Sequence, residues 1–202
     1  MSSDASDLQS WVAGTYDGLA GLLDTGPAET WDAPSLCAGW QVRHVVAHVT
    51  MPVRLSAEQF GAGMAAAGGD FTRFSDAVAA RDAALPTAEL LAGLRSPVLH
   101  GWQPPGGGAP GALSHAVIHS LDVTVPLGRP AAAPADAVVA VLDRLTAADG
   151  AIFGIDLAGV RLEAEDTAWS RGDGDVVRAD SGRLVALLSG RTLPDGRVLR
   201  RR

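Results

Sequence analysis

The chain has 202 residues, a formal net charge of −7 and a 47% hydrophobic content. That supports one sizeable core, and the acidic balance excludes a nucleic-acid binder, which concentrates Lys and Arg on one face. All 16 basic residues are Arg, which also excludes a lysine Schiff base and a G-x-x-x-x-G-K-[ST] phosphate loop.

Leu8, Trp11, Val12, Thr15, Leu19, Leu22 and Leu23 recur at helical spacing, so a first amphipathic helix is predicted over 7–23, ended by Gly26-Pro27. The stretch from Trp31 to Trp40 mixes large aromatics with Pro and Gly and reads as an ordered loop. Val42, Val45, Val46, Val49 and Val53 then trace the stripe of a second helix, with His44 and His48 beside it and a kink expected at Pro52. Gly61, Gly63, Gly68 and Gly69 predict a loosened chain, and a loop or frayed turn is expected over 70–82. Pro86-Thr87-Ala88-Glu89 begins a third helix whose buried stripe is Leu90, Leu91, Leu94 and Val98.

A Pro- and Gly-rich connection over 104–111 leads to a fourth helix over 112–125, closed by Pro126 and Gly128. A soft boundary falls in the stretch from Pro130 to Pro134. Beyond it come a helix over 135–148 and short antiparallel strands over 160–165 and 175–178, with turn glycines Gly172 and Gly174. A helix over 181–188, capped by Ser181 and stopped by Gly190, and a hairpin over 192–199 complete the chain. The expected fold is mainly α: a four-helix bundle over 1–130 and a small α+β module over 131–202.

Chemistry concentrates in the histidines. His115 and His119 stand four residues apart in the fourth helix, as do His44 and His48 in the second, and such pairs share one helix face. Three neutral imidazoles converging at about 2.0–2.1 Å from a zinc-like ion, with a fourth position open, would make a catalytic site. His115, His119 and one member of the early pair are the candidates. His44 also reads as a half-exposed helix N-terminal residue, and His100 as a terminal-turn residue beside Gly101. Asp122, an acid near a helix C-terminus where the dipole disfavours it, calls for a partner, either a metal-ligating histidine it orients or a nearby Arg. Cys37 lacks an acyl-transfer motif and reads as small and structural.

The lone Cys37 fits a reducing cytosol. The polar, acidic N-terminus does not read as a leader, and no apolar run approaches the roughly 20 residues a membrane span needs. A cytoplasmic protein, monomeric or homodimeric, with neither nucleic acid nor membrane as a partner is expected.

The run Trp31-x-x-Pro34-Ser35-Leu36-Cys37-x-Gly39-Trp40-x-Val42-Arg43-x-Val45-Val46-x-His48 resembles the opening signature of the mycothiol-dependent maleylpyruvate isomerase family, within the DinB-like metal-binding superfamily. His115-x-x-x-His119-x-x-Asp122, followed by Pro126-Leu127-Gly128, is similar to the family's fourth helix. Asp166-x-x-Trp169-x-x-Gly172-x-Gly174 and Leu187-Leu188-Ser189-Gly190-Arg191 look like its small C-terminal module.

The resemblance implies a DinB-like four-helix bundle holding a divalent metal, often zinc, through His48, His115 and His119. His44 falls where relatives commonly have an acid and is not implied as a ligand. His115 falls where some relatives carry Glu, and a neutral ligand there leaves the metal more positive. The implied chemistry is activation of mycothiol for isomerisation of, or S-transfer to, a small electrophile. Arg54, Arg81 and Arg191 are candidates for holding the thiol or a carboxylate substrate. The absence of Lys and Asn agrees with a high-GC actinobacterial host, where mycothiol is the expected thiol. Two other readings use the same metal: a thiol-independent enzyme working through activated water, and a non-enzymatic protein whose site four protein ligands, His44 included, would close.

Overall fold

The computed structural model describes residues 5–147 and 149–202. Met1–Asp4, on which the reading against a leader rests, and Ala148, the last residue of the helix expected over 135–148, lie outside the described residues.

The long helix α1 (Ala5–Thr25) buries Val12, Tyr16, Leu19 and Leu23. After the loop pinned by Trp31, α2 (Val42–Val49) buries all four of its valines and ends before Pro52. Pro52 therefore does not kink α2; it occupies the first turn of a separate short helix, α3 (Met51–Arg54), where its missing N–H costs nothing. Next come α4 (Ala57–Ala66) and α5 (Phe71–Asp82).

These two helices correct the loosened chain and loop expected there. Ser56 and Asp70 cap them by accepting from the backbone N–H groups of Gln59 and Arg73. Gly63 serves packing rather than breaking: a Cβ there would stand 2.2 Å from the ring of Phe74 on α5.

The expected third helix is two helices, α6 (Thr87–Leu94) and α7 (Pro97–Gly101), because Pro97 cannot donate and Ser96 starts a new cap. Val98 consequently leaves the stripe and is 59% exposed. The fourth helix, α8 (Gly108–Thr124), is buried along most of its length. Helices α1 and α2 each pack against both α6 and α8, closing a ring of four. Helix α5 covers α2 from outside.

After α9 (Ala135–Ala147), three short strands form a sheet in the order β2-β1-β3: β1 (Val160–Ala164), β2 (Ser170–Gly172) and β3 (Asp175–Ala179). Strand β1 pairs antiparallel with β2 but parallel with β3, Leu162 facing Arg171 on one side and Val177 on the other. The expected antiparallel pairing across Gly172 and Gly174 is therefore corrected. The two strands flank β1, and the chain crosses the start of β1 where a Cβ on Gly174 would stand 2.2 Å from the carbonyl oxygen of Gly159.

Helix α10 (Ser181–Leu188) is capped by Asp180, whose carboxylate accepts from Arg183 N–H at 2.8 Å; Ser181 instead donates to Asp166 from its backbone and its hydroxyl. In place of a hairpin over 192–199 the chain makes a turn, Leu193 N–H donating to Arg197 C=O at 3.0 Å. One hydrophobic cluster runs from Leu19 of α1 through Leu121 of α8 to Leu142 of α9 and Leu184 of α10.

Candidate metal centre

His48 sits on the last turn of α2, and His115 and His119 on the buried middle of α8. Because α2 and α8 pack side by side, one ring nitrogen from each of the three lies within 4.8 Å of the others. The ring centroids are 4.7–5.4 Å apart.

In each case an oxygen engages Nδ1. His48 meets the Ser75 hydroxyl at 2.9 Å, His115 the Tyr16 hydroxyl at 3.0 Å and His119 an Asp122 carboxylate oxygen at 2.9 Å. The carboxylate only accepts, so Nδ1 of His119 carries the proton and its Nε2 presents a lone pair. The Ser75 and Tyr16 hydroxyls engage Nδ1 of the other two rings, which leaves the Nε2 atoms as the metal-facing nitrogens. Burial, with the neighbouring His119 charge adding to it, lowers the pKa of His48 to about 3 and that of His115 well below the ordinary value. These two imidazoles are neutral at pH 7, the form that binds metal. Three imidazole nitrogens with oxygen partners behind their rings fit a divalent ion of the zinc type.

Asp122 is 1% exposed and takes both partners that the sequence offered as alternatives. Beyond His119, it accepts from Arg191 through Nε at 2.7 Å and a terminal guanidinium nitrogen at 2.9 Å, and from Cys37 Sγ at 3.0 Å. Burial alone would raise its pKa, but the Arg191 and His119 hydrogen bonds outweigh that and hold it well below the carboxylate range. Burial and the Asp122 charge push the Cys37 thiol far up. Cys37, His119 and Asp122 also cluster closely enough for a metal, but their atoms are already spent on one another and on Arg191.

The other candidates are spent elsewhere. His44 accepts from the backbone N–H of Gln41 at 3.3 Å, closing the start of α2, and His100 donates to the Leu94 carbonyl at 2.8 Å. Arg54 donates to Asp82, Thr50 and the Ala47 carbonyl, and Arg81 to Asp82. Of the residues proposed from sequence, the structure gathers His48, His115, His119, Asp122 and Arg191 into one network, and Arg54 and Arg81 around Asp82.

The three imidazoles open onto a cavity of about 700 Å³ whose remaining lining is Met51, Pro52, Leu55, Ser56, Ala57, Phe60, Phe71, Trp102, Pro104 and Pro105. Sequence reasoning missed this wall, together with Ser75 and Tyr16. The one available signal was a lone Tyr on the apolar stripe of α1.

Residues 12–100 match the family described as the mycothiol maleylpyruvate isomerase N-terminal domain. The N-terminal part of the chain is therefore similar to that domain. The match includes His48 and ends before the family-like His115 and His119. The chain is also similar to the crystal structure of the mycothiol-dependent maleylpyruvate isomerase, at 15% identity and a TM-score of 0.49 over 97% of this chain and 95% of that one. A histidine-to-alanine mutant of that isomerase matches at 15% identity and a TM-score of 0.48 over the same shares. No curated protein matches the chain.

Proposed function

We propose that this chain, whose N-terminal part is similar to the mycothiol maleylpyruvate isomerase N-terminal domain, is a metal-dependent enzyme of that family that activates a low-molecular-weight thiol, mycothiol, toward a small electrophile. The outcome is isomerisation or S-transfer. The observation that carries the reading is the convergence of His48, His115 and His119, each with Nδ1 engaged by an oxygen, on an open cavity. The family match supplies the thiol.

His48, His115 and His119 would hold a divalent ion, zinc by its donor set, which would favour the thiolate form of a visiting thiol at neutral pH. The chain's own residues prepare the site. Asp122 fixes the tautomer of His119 while Arg191 keeps Asp122 ionised. Tyr16 and Ser75 orient the other two rings. Cys37 does not compete as a nucleophile, because its proton is held against Asp122.

Purified protein should bind one zinc per chain by elemental analysis. Zinc-loaded protein with mycothiol should convert members of an electrophile panel to adducts or isomers. No metal, or no conversion of any panel member, would sink the proposal. The three-histidine set also suits activation of water, and turnover that persists without thiol would identify that chemistry instead. His44 is absent from the metal-competent groups of the described residues, so it does not close the site as a fourth ligand.

A further inference from the structure

We infer that the electrophile taken by this cavity is an uncharged, apolar molecule rather than a carboxylate; the inference rests on the thiol reading above and names its substrate class. Among the described residues, the lining beyond the three imidazoles is polar only at the Ser56 hydroxyl and the Trp102 indole N–H, and no arginine contributes to the wall. The chain has no lysine to substitute.

The arginines that could have reached an anion are held elsewhere. Arg54 is held by three hydrogen bonds, to Asp82, Thr50 and the Ala47 carbonyl, and does not line the cavity. Arg81 is turned onto Asp82, and Arg191 is locked in a two-point contact with Asp122. A dicarboxylate entering this space would lose its hydration and meet no guanidinium. An apolar electrophile would gain contact with Met51, Leu55, Phe60, Phe71 and Trp102. The volume of about 700 Å³ leaves room for it beside the sulfur of a thiol.

Diethyl maleate and maleate share one electrophilic double bond and differ by two charges. Each should be titrated, without thiol, against the uncharged fluorescent dye N-phenyl-1-naphthylamine bound to zinc-loaded and to metal-free protein. The expected result is that the diester displaces the dye at a concentration at least tenfold below maleate in both forms. Equal or tighter displacement by maleate in either form overturns the inference, as does a failure of the dye to bind.

Phe71 is 49% exposed at the cavity, so Phe71→Arg adds a cation without opening the core. That variant should shrink the tenfold preference to threefold or less, and an unchanged ratio overturns the assignment of the preference to the wall. Because thiol is absent throughout, failure here leaves thiol activation standing, and failure of thiol turnover leaves this binding result standing.

Discussion

Helices α2 and α8 each carry two histidines at the same four-residue spacing, and the structure uses the pairs differently. On α8 both imidazoles lie in the buried middle and face the cavity; on α2 only His48 does, while His44 sits half-buried in the first turn and closes the helix start. Spacing puts two side chains on one face, but the surroundings at each height along the helix decide what that face meets. Helix α2 spans only Val42–Val49, so one turn separates bundle interior from helix end.

The comparison is broken most forcefully by removing one imidazole from each pair. His48→Ala and His119→Ala should each lower zinc affinity at least about 100-fold, since a three-ligand site becomes a two-ligand site. His44→Ala should leave it within about twofold. Competition titration with a chelator reads both, and equal losses at positions 44 and 48 would contradict the division of roles.

A second contrast separates two buried carboxylates. Asp82 and Asp122 are 5% and 1% exposed, and arginines clamp both, yet only Asp122 also holds a histidine. Asp122→Ala should destabilise the fold by about 3–5 kcal/mol, because Arg191 loses its counter-charge. It should also weaken zinc binding about 10–100-fold. Asp82→Ala should lower stability by less, since Arg81 is largely exposed and Arg54 keeps its bonds to Thr50 and the Ala47 carbonyl, and should leave zinc affinity unchanged. Urea unfolding and zinc titration of the two variants separate the effects.

Protonation sharpens the same distinction. With its pKa lowered to about 3, His48 stays neutral in the folded metal-free protein, while the unfolded chain takes up protons below about pH 6.5. His115, lowered by burial and by its two neighbouring imidazoles, behaves alike. The unfolded state then binds more protons, so unfolding free energy falls as pH drops from about 6.5 toward 3, by up to about 1.4 kcal/mol per unit for each group. Asp122 has the usual sign for a depressed carboxylate, and its contribution is lost only below about pH 4. Urea midpoints at pH 7.5 and 5.5 should show the loss, and His48→Leu should reduce it; a flat profile would contradict neutral burial.

These residues also mark how far the sequence could be read. The α8 pair and Asp122 were legible because i, i+3 and i+4 positions share a face whatever the tertiary packing, and the bundle was legible from its apolar stripes. Ser75 and Tyr16 were not. Their role depends on α1 and α5 packing beside the triad, and α5 itself was hidden behind glycines that read as breakers, although Gly63 makes room for Phe74. The parallel pairing of β1 with β3 escaped for a related reason: strands joined by two residues ordinarily form a hairpin, and here they straddle a third strand. The cavity wall escaped because it is drawn from α3, α4, the start of α5 and the segment before α8, which no local pattern joins.

Within the triad itself, Tyr16→Phe removes only the oxygen that orients His115. Zinc affinity should drop about tenfold, with a stability loss near 1 kcal/mol. An effect as large as that of removing a ligand would mean that the phenol does more than orient the ring.

The smallest effect returns to position 44. There the chain requires an acceptor for the Gln41 N–H, and burial, aided by the Arg43 charge, lowers the pKa of His44 and so favours the neutral ring that can accept. His44→Ala should cost about 0.5–1 kcal/mol by urea unfolding. His44→Gln should recover most of that, because a glutamine at the third helical position can reach back to the same N–H. At position 48 the requirement is an aromatic nitrogen lone pair, and His48→Gln should bind zinc no better than His48→Ala. Rescue by glutamine at one member of the pair and not at the other would show that equal spacing conceals unequal chemistry; rescue at both would return His48 to an ordinary hydrogen-bonding role.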